Sequence, residues 1–70
     1  LFNRVLEIWK LKVANEPQNV QSWVSLAAAY LSLGDRTKSI ESIEQAIVKN
    51  PQFKAEGEGL ISEIRAGRNP

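Results

Sequence analysis

Residues 22–35 read SWVSLAAAYLSLGD, and their pattern decides the fold. Trp23, Leu26, Ala27 and Tyr30 fall at i, i+3, i+4 and i+7, the spacing of one face of an α-helix. Three alanines stand in a row, Ala27 to Ala29, where a helix with a merely greasy face would carry Leu or Ile. Alanine saves space, so the spacing predicts that another helix presses close here. Gly34 then supplies the positive φ wanted at a helix C-terminus, and Asp35 is suited to cap the next helix.

Working outward, three more apolar stripes appear. Phe2, Val5, Leu6, Trp9 and Val13 form the first. Ile40, Ile43 and Ile47, with Ser39 and Ala46, form the third. Phe53, Leu60, Ile61 and Ile64 form the fourth. Glu16-Pro17 ends the first helix because a residue before proline avoids helical geometry. Asn19 is the expected N-cap of the second, Asn50-Pro51 closes the third, and Gly67 with Asn69-Pro70 closes the fourth. The expected helices are 2–15, 20–32, 36–49 and 53–66, with short loops and antiparallel neighbours. Trp23, Leu26, Tyr30, Ile40, Ile43 and Ile47 are expected to form one buried cluster, joined by Trp9 and Leu60.

The chain also repeats itself. Pro17-Gln18 recurs as Pro51-Gln52, a shift of 34 residues. At that shift Leu6 maps to Ile40, Glu7 to Glu41, Trp9 to Ile43 and Val13 to Ile47. Leu26 maps to Leu60, Ala27 to Ile61 and Tyr30 to Ile64. Such a period is the signature of a helical repeat array.

Composition narrows the function. Seventy residues make at most one small domain, and ordering them costs on the order of 100 kcal/mol that burial must offset. Nine Lys and Arg against eight Asp and Glu give a net charge of +1, without the basic excess of a nucleic-acid or anionic-membrane binder. There is no Cys and no His, which removes thiolate and imidazole ligands and the commonest general base. The longest apolar run, Leu26 to Leu31, is far too short to span a bilayer. The chain starts at Leu1 inside a helical pattern, which suggests a piece excised from a longer protein. No compartment can be read from it.

These residues resemble the tetratricopeptide repeat family. Against its pattern of Trp, Leu, Gly, Tyr, a turn Gly, Ala, Phe, Ala and Pro this chain has Trp23, Leu26, Ala27, Tyr30, Gly34, Ser39, Ile43, Ala46 and Pro51, with Ala27 for Gly, Ser39 for Ala and Ile43 for Phe each keeping size or polarity class. The resemblance implies an all-α fold of about four helices, antiparallel hairpins of a right-handed solenoid. Residues 1–16 would be the second helix of a preceding partial repeat, 17–52 a complete repeat and 53–70 a C-terminal capping helix. Lys12 stands where the family has a small residue, and Gly57 where it has Trp. Ala27 is expected to face Ser39, Ala46 to make room for the next helix, and Ala28 to face the concave side.

The resemblance further implies a non-catalytic module that binds a protein or peptide partner, with no cofactor, no metal and no nucleic acid. Ligand contacts in the family come from the concave face. By register these positions are Gln21, Val24, Ser25, Ala28, Leu31 and Ser32, joined by Ala55, Glu58, Ser62 and Arg65. Members that clamp a peptide carboxylate use Lys and Asn where this chain has Val24 and Ser25, then Glu58 and Gly59, so that clamp is missing. Separately, residues 60–70, LISEIRAGRNP, loosely resemble the tails of bacterial membrane polysaccharide polymerases and O-antigen-ligase-like proteins. That alternative implies a structural C-terminal tail.

The sharper chemical readings are weak. Trp9 and Trp23 fit the repeat core better than a ligand-stacking platform. Tyr30 has no base or metal ligand to activate it. Glu56, Glu58 and Glu63 read as a solvated helix face rather than paired catalytic carboxylates. Gly57 and Gly59 lack the context of a phosphate loop. The first helix does carry a surplus: Leu1, Phe2, Val5, Leu6, Ile8, Trp9, Leu11 and Val13. One packed stripe needs fewer. Leu1, Ile8 and Leu11 are therefore expected on an uncovered face that promotes self-association.

Overall fold

The computed structural model describes residues 2–67; Leu1 and residues 68–70, including Asn69-Pro70, lie outside the described part. Four α-helices follow one another: α1 (Phe2–Asn15), α2 (Val20–Ser32), α3 (Arg36–Lys49) and α4 (Lys54–Arg65). A 3-10 turn, Pro51–Phe53, leads into α4. No strand occurs among the described residues. The fourth helix starts one residue later than its apolar pattern suggests, because proline opens the 3-10 turn first.

The ends of the helices are set by local chemistry. Asn19 Oδ1 accepts from the Gln21 N–H at 3.1 Å, and its Nδ2 donates to Glu16 Oε1 at 3.0 Å. Asp35 Oδ1 accepts from the Lys38 N–H at 3.0 Å. Both side chains satisfy donors that a helix start leaves free. Gly34, at φ 79°, closes α2. The Asp35 N–H donates to the Tyr30 carbonyl and the Gly34 N–H to the Leu31 carbonyl, both at 2.9 Å, the paired bonds of a Schellman turn.

Short connections reverse the chain at each step, and consecutive helices pack as neighbours. Ile47, late in α3, meets Gly57 early in α4. Arg36, at the start of α3, reaches the Ile64 carbonyl near the end of α4. These two helices are therefore antiparallel. The result is a slab of 31 × 27 × 14 Å.

The core corrects the expectation of one cluster. Ala27, Ile43, Ile61 and Ile64 form a first cluster, with Val24, Leu31, Ile40, Ile47, Phe53 and Leu60 packed against it. Leu6, Val13 and Leu26 form a second, with Trp9, Trp23, Ala29 and Tyr30. The physical reason is helical geometry. Ile40, Ile43 and Ile47 pack on the Ala27 side of α2, whereas Trp23, Leu26 and Tyr30 lie on the side that receives α1.

The three alanines serve three directions. Ala27 joins the cluster with α3, Ala29 packs in the cluster with α1, and Ala28 is exposed between them. Between α2 and α3, the buried Ser39 hydroxyl donates to the Ala27 carbonyl at 2.9 Å. Ala46 is fully buried as well. Small residues at these points let the helices approach.

Candidate interaction groove

A groove of about 210 Å³ runs between α2 and α4. Val24, Ala27, Ala28 and Leu31 line it from α2, Leu60 and Ile64 from α4, and Ile43 lies at its floor. The α2 wall is apolar because the helix, VQSWVSLAAAYLS, carries no charged residue at all. Ala28 keeps the wall low: a longer side chain there would occupy the space. Leu60 and Ile64 lie about 40° apart around α4 and form the opposite wall.

The structure brings together three of the residues expected from the sequence, Val24, Ala28 and Leu31. Gln21 and Ser32 are exposed, Ser25 is half-buried, and none of the three lines the groove. The Ser32 hydroxyl donates to the Ala28 carbonyl at 3.1 Å, a bond within its own helix. Ala55 is exposed and lines no cavity described here.

The expected α4 residues lie elsewhere. Glu58, Ser62 and Arg65, with Ile61 and Glu44 of α3, border a separate, more polar depression of about 380 Å³. The cause is their place in the register: Glu58, Ser62 and Arg65 are the 34-residue equivalents of Val24, Ala28 and Leu31, and border the next depression along. Burial of Gly57, Ile61 and Ile64 fixes which face meets the core. Glu58 and Arg65 sit about 140–160° from Leu60 and so point away from the groove. Sequence reasoning assigned Leu60 and Ile64 to the core alone; the half-buried Leu60 also builds the groove wall, with the buried Ile64 at its base. That placement follows from Gly57, whose missing side chain lets α4 settle against Ile47 and Phe53.

A third, smaller depression between α2 and α3 is bordered by Trp23, Tyr30, Lys38, Glu41 and Gln45. Trp23 is committed to structure: its Nε1 donates to the Pro17 carbonyl at 2.8 Å and ties the first linker to α2. No group of three or more His, Cys, Asp and Glu side chains among the described residues is placed to hold a metal ion. No described helix is long and apolar enough to cross a membrane. Comparison with known proteins yields no relative: no family model, no curated protein and no solved structure matches the chain.

Proposed function

We propose that the chain is a non-catalytic protein-interaction module of the tetratricopeptide type, its helices stacking as a short right-handed solenoid. The observation that carries the reading is the apolar groove between α2 and α4, walled by Val24, Ala28, Leu31, Leu60 and Ile64. It is supported by the nine motif positions and the 34-residue shift in the sequence. A groove without Lys, Arg or Asn on its walls suits an apolar, uncharged stretch of a partner rather than a carboxylate terminus. Its volume admits one or two large aliphatic side chains, so binding is weak and depends on those anchors.

Selection of a displayed random peptide library on the chain tests this. Enriched peptides should carry paired aliphatic residues and lose binding to an Ala28→Arg variant, which fills the groove. Failure of any peptide to enrich, or binding that survives Ala28→Arg, would refute the groove as the binding surface.

A further inference from the structure

The face of α1 turned away from α2 carries Val5, Ile8 and Leu11, exposed to 44%, 51% and 65%. The described part of the stripe expected from the sequence is therefore present, with Val5 added to it. Two exposed cations, Arg4 and Lys12, share this sector of the helix, while Glu7 lies to one side. Val5 to Leu11 spans about 9 Å along the helix.

The groove offers the matching features. Its α2 wall, Val24 to Leu31, runs about 10.5 Å. Its charged border on α4 is acidic: Glu56 is exposed about 40° from Leu60 on the side away from Ile64, and the half-buried Glu63 lies about 60° from Leu60 on that same side. Lys54 and Arg65 lie on the far side of that helix, and α2 contributes no charge.

Within one chain the two surfaces cannot meet. α1 packs on the Trp23, Leu26 and Tyr30 side of α2, and the groove opens on the Val24, Ala28 and Leu31 side. From this complementarity we infer that the α1 stripe of one chain docks in the α2–α4 groove of a second copy. Ile8 and Leu11 act as the two anchors in the groove with Val5 at its edge, and Arg4, on the Leu11 flank of Ile8, lies toward the Glu56 border. This is the helix-in-groove mode of recognition, with rim charges setting orientation. The contact is heterologous, a stripe to a groove, so each chain offers one of each. The inference rests on the reading of the groove as a binding surface and names its occupant.

Sedimentation velocity of the full chain across a wide concentration range tests it. The wild-type chain should move from the mass of one chain toward that of two or more. Ile8→Glu spoils the stripe and Ala28→Arg spoils the groove; both positions are exposed, so circular dichroism should show both variants folded. Each alone should remain monomeric. Their equimolar mixture should associate again, because one retains the groove and the other the stripe. Glu56→Lys should weaken the wild-type contact several-fold. A wild-type chain that stays monomeric, an Ala28→Arg variant that associates normally, or a mixture that fails to recover would each overturn the inference. Apolar peptides binding to the Ile8→Glu monomer without wild-type self-association would leave the groove reading standing and remove only this occupant.

Discussion

Gly57 and Gly59 stand two residues apart in the same helix and should answer the same substitution in opposite directions. A Cβ built at Gly57 meets Ile47 Cδ1 and Cγ1 at 2.7 Å and Phe53 Cε2 at 3.2 Å. Ordinary contact begins at 3.4 Å, so Ile47 would have to retreat by roughly 0.7 Å. Phe53 would have to give as well, by roughly 0.2 Å. Overpacking of this kind costs about 1–3 kcal/mol. Replacing a helical glycine by alanine returns about 0.5–1 kcal/mol, so Gly57→Ala should lower stability by a net of up to about 2.5 kcal/mol. At Gly59 nothing lies within 4 Å of the added atom. There the backbone gain acts alone, and Gly59→Ala should stabilise by about 0.4–1 kcal/mol. Thermal or urea melts of both variants read the difference, since about 1 kcal/mol moves the midpoint of so small a domain by 4–8 °C. Because the two variants share the propensity gain, their difference isolates the contact with Ile47. Ile47→Val in the Gly57→Ala background should recover part of the loss, appearing as a coupling energy in the double-mutant cycle. If Gly57→Ala stabilises as much as Gly59→Ala, α4 does not pack on α3 as described.

Three further substitutions probe other contacts. Ala27→Leu forces a large side chain into the α2–α3 contact and should cost about 1–3 kcal/mol in a melt; an unchanged midpoint would place Ala27 away from that interface. Ser39→Ala removes the 2.9 Å bond to the Ala27 carbonyl and should cost about 0.5–1.5 kcal/mol, with equal stability showing that the hydroxyl contributes nothing. Arg36 donates to the Ile64 carbonyl at 3.0 Å and the Gly67 carbonyl at 3.4 Å, satisfying groups that the end of α4 leaves open. Arg36→Ala should therefore act locally, by about 0.3–1 kcal/mol. Amide exchange should quicken in the last turn of α4 while the global melt hardly moves, and protection that stays the same would contradict the role.

How far the sequence could be read depends on how local each determinant is. The helix ends were legible because proline, glycine and capping side chains act within a few residues: Asn19, Gly34 and Asp35 do what their positions imply. The close pairing of Ala27 with Ser39 was expected from the family resemblance, and the Ser39 hydroxyl does meet the Ala27 carbonyl. The division of the core was not. Apolar periodicity marks a face about 100° wide or more, and α2 uses two faces whose edges adjoin at Leu26 and Ala27. Ala29, which has no chemical mark of its own, packs against α1 by geometry alone. The α4 side of the groove was missed because equivalent positions of two repeats were read as sharing one groove. Glu58, Ser62 and Arg65 are the 34-residue equivalents of Val24, Ala28 and Leu31 and so border the next depression along, leaving this groove's second wall to Leu60 and Ile64.

The same register sharpens the meaning of the bare face of α1. At the 34-residue shift, Val5, Ile8 and Lys12 correspond to Ser39, Ser42 and Ala46 of α3. Those three are exposed to 0%, 5% and 0% and are small, so that part of α3 lies close against its surroundings. The corresponding face of α1 carries two branched aliphatic side chains and a lysine, with Leu11 beside them. Groups of that size cannot lie as close to a neighbouring helix as Ser39, Ser42 and Ala46 do, so this face calls for a partner whose surface interleaves with it. The groove with its low alanine wall offers one, with the ammonium group of Lys12 kept toward water at the edge. A second α1 also interleaves such side chains, but it brings the Arg4 and Lys12 charges of two chains together, whereas the groove border offers Glu56. On charge grounds, then, contact between the stripe and the groove is favoured over contact between two stripes. The mixture of Ile8→Glu and Ala28→Arg chains separates the two arrangements, since a stripe-to-stripe dimer would persist in Ala28→Arg alone.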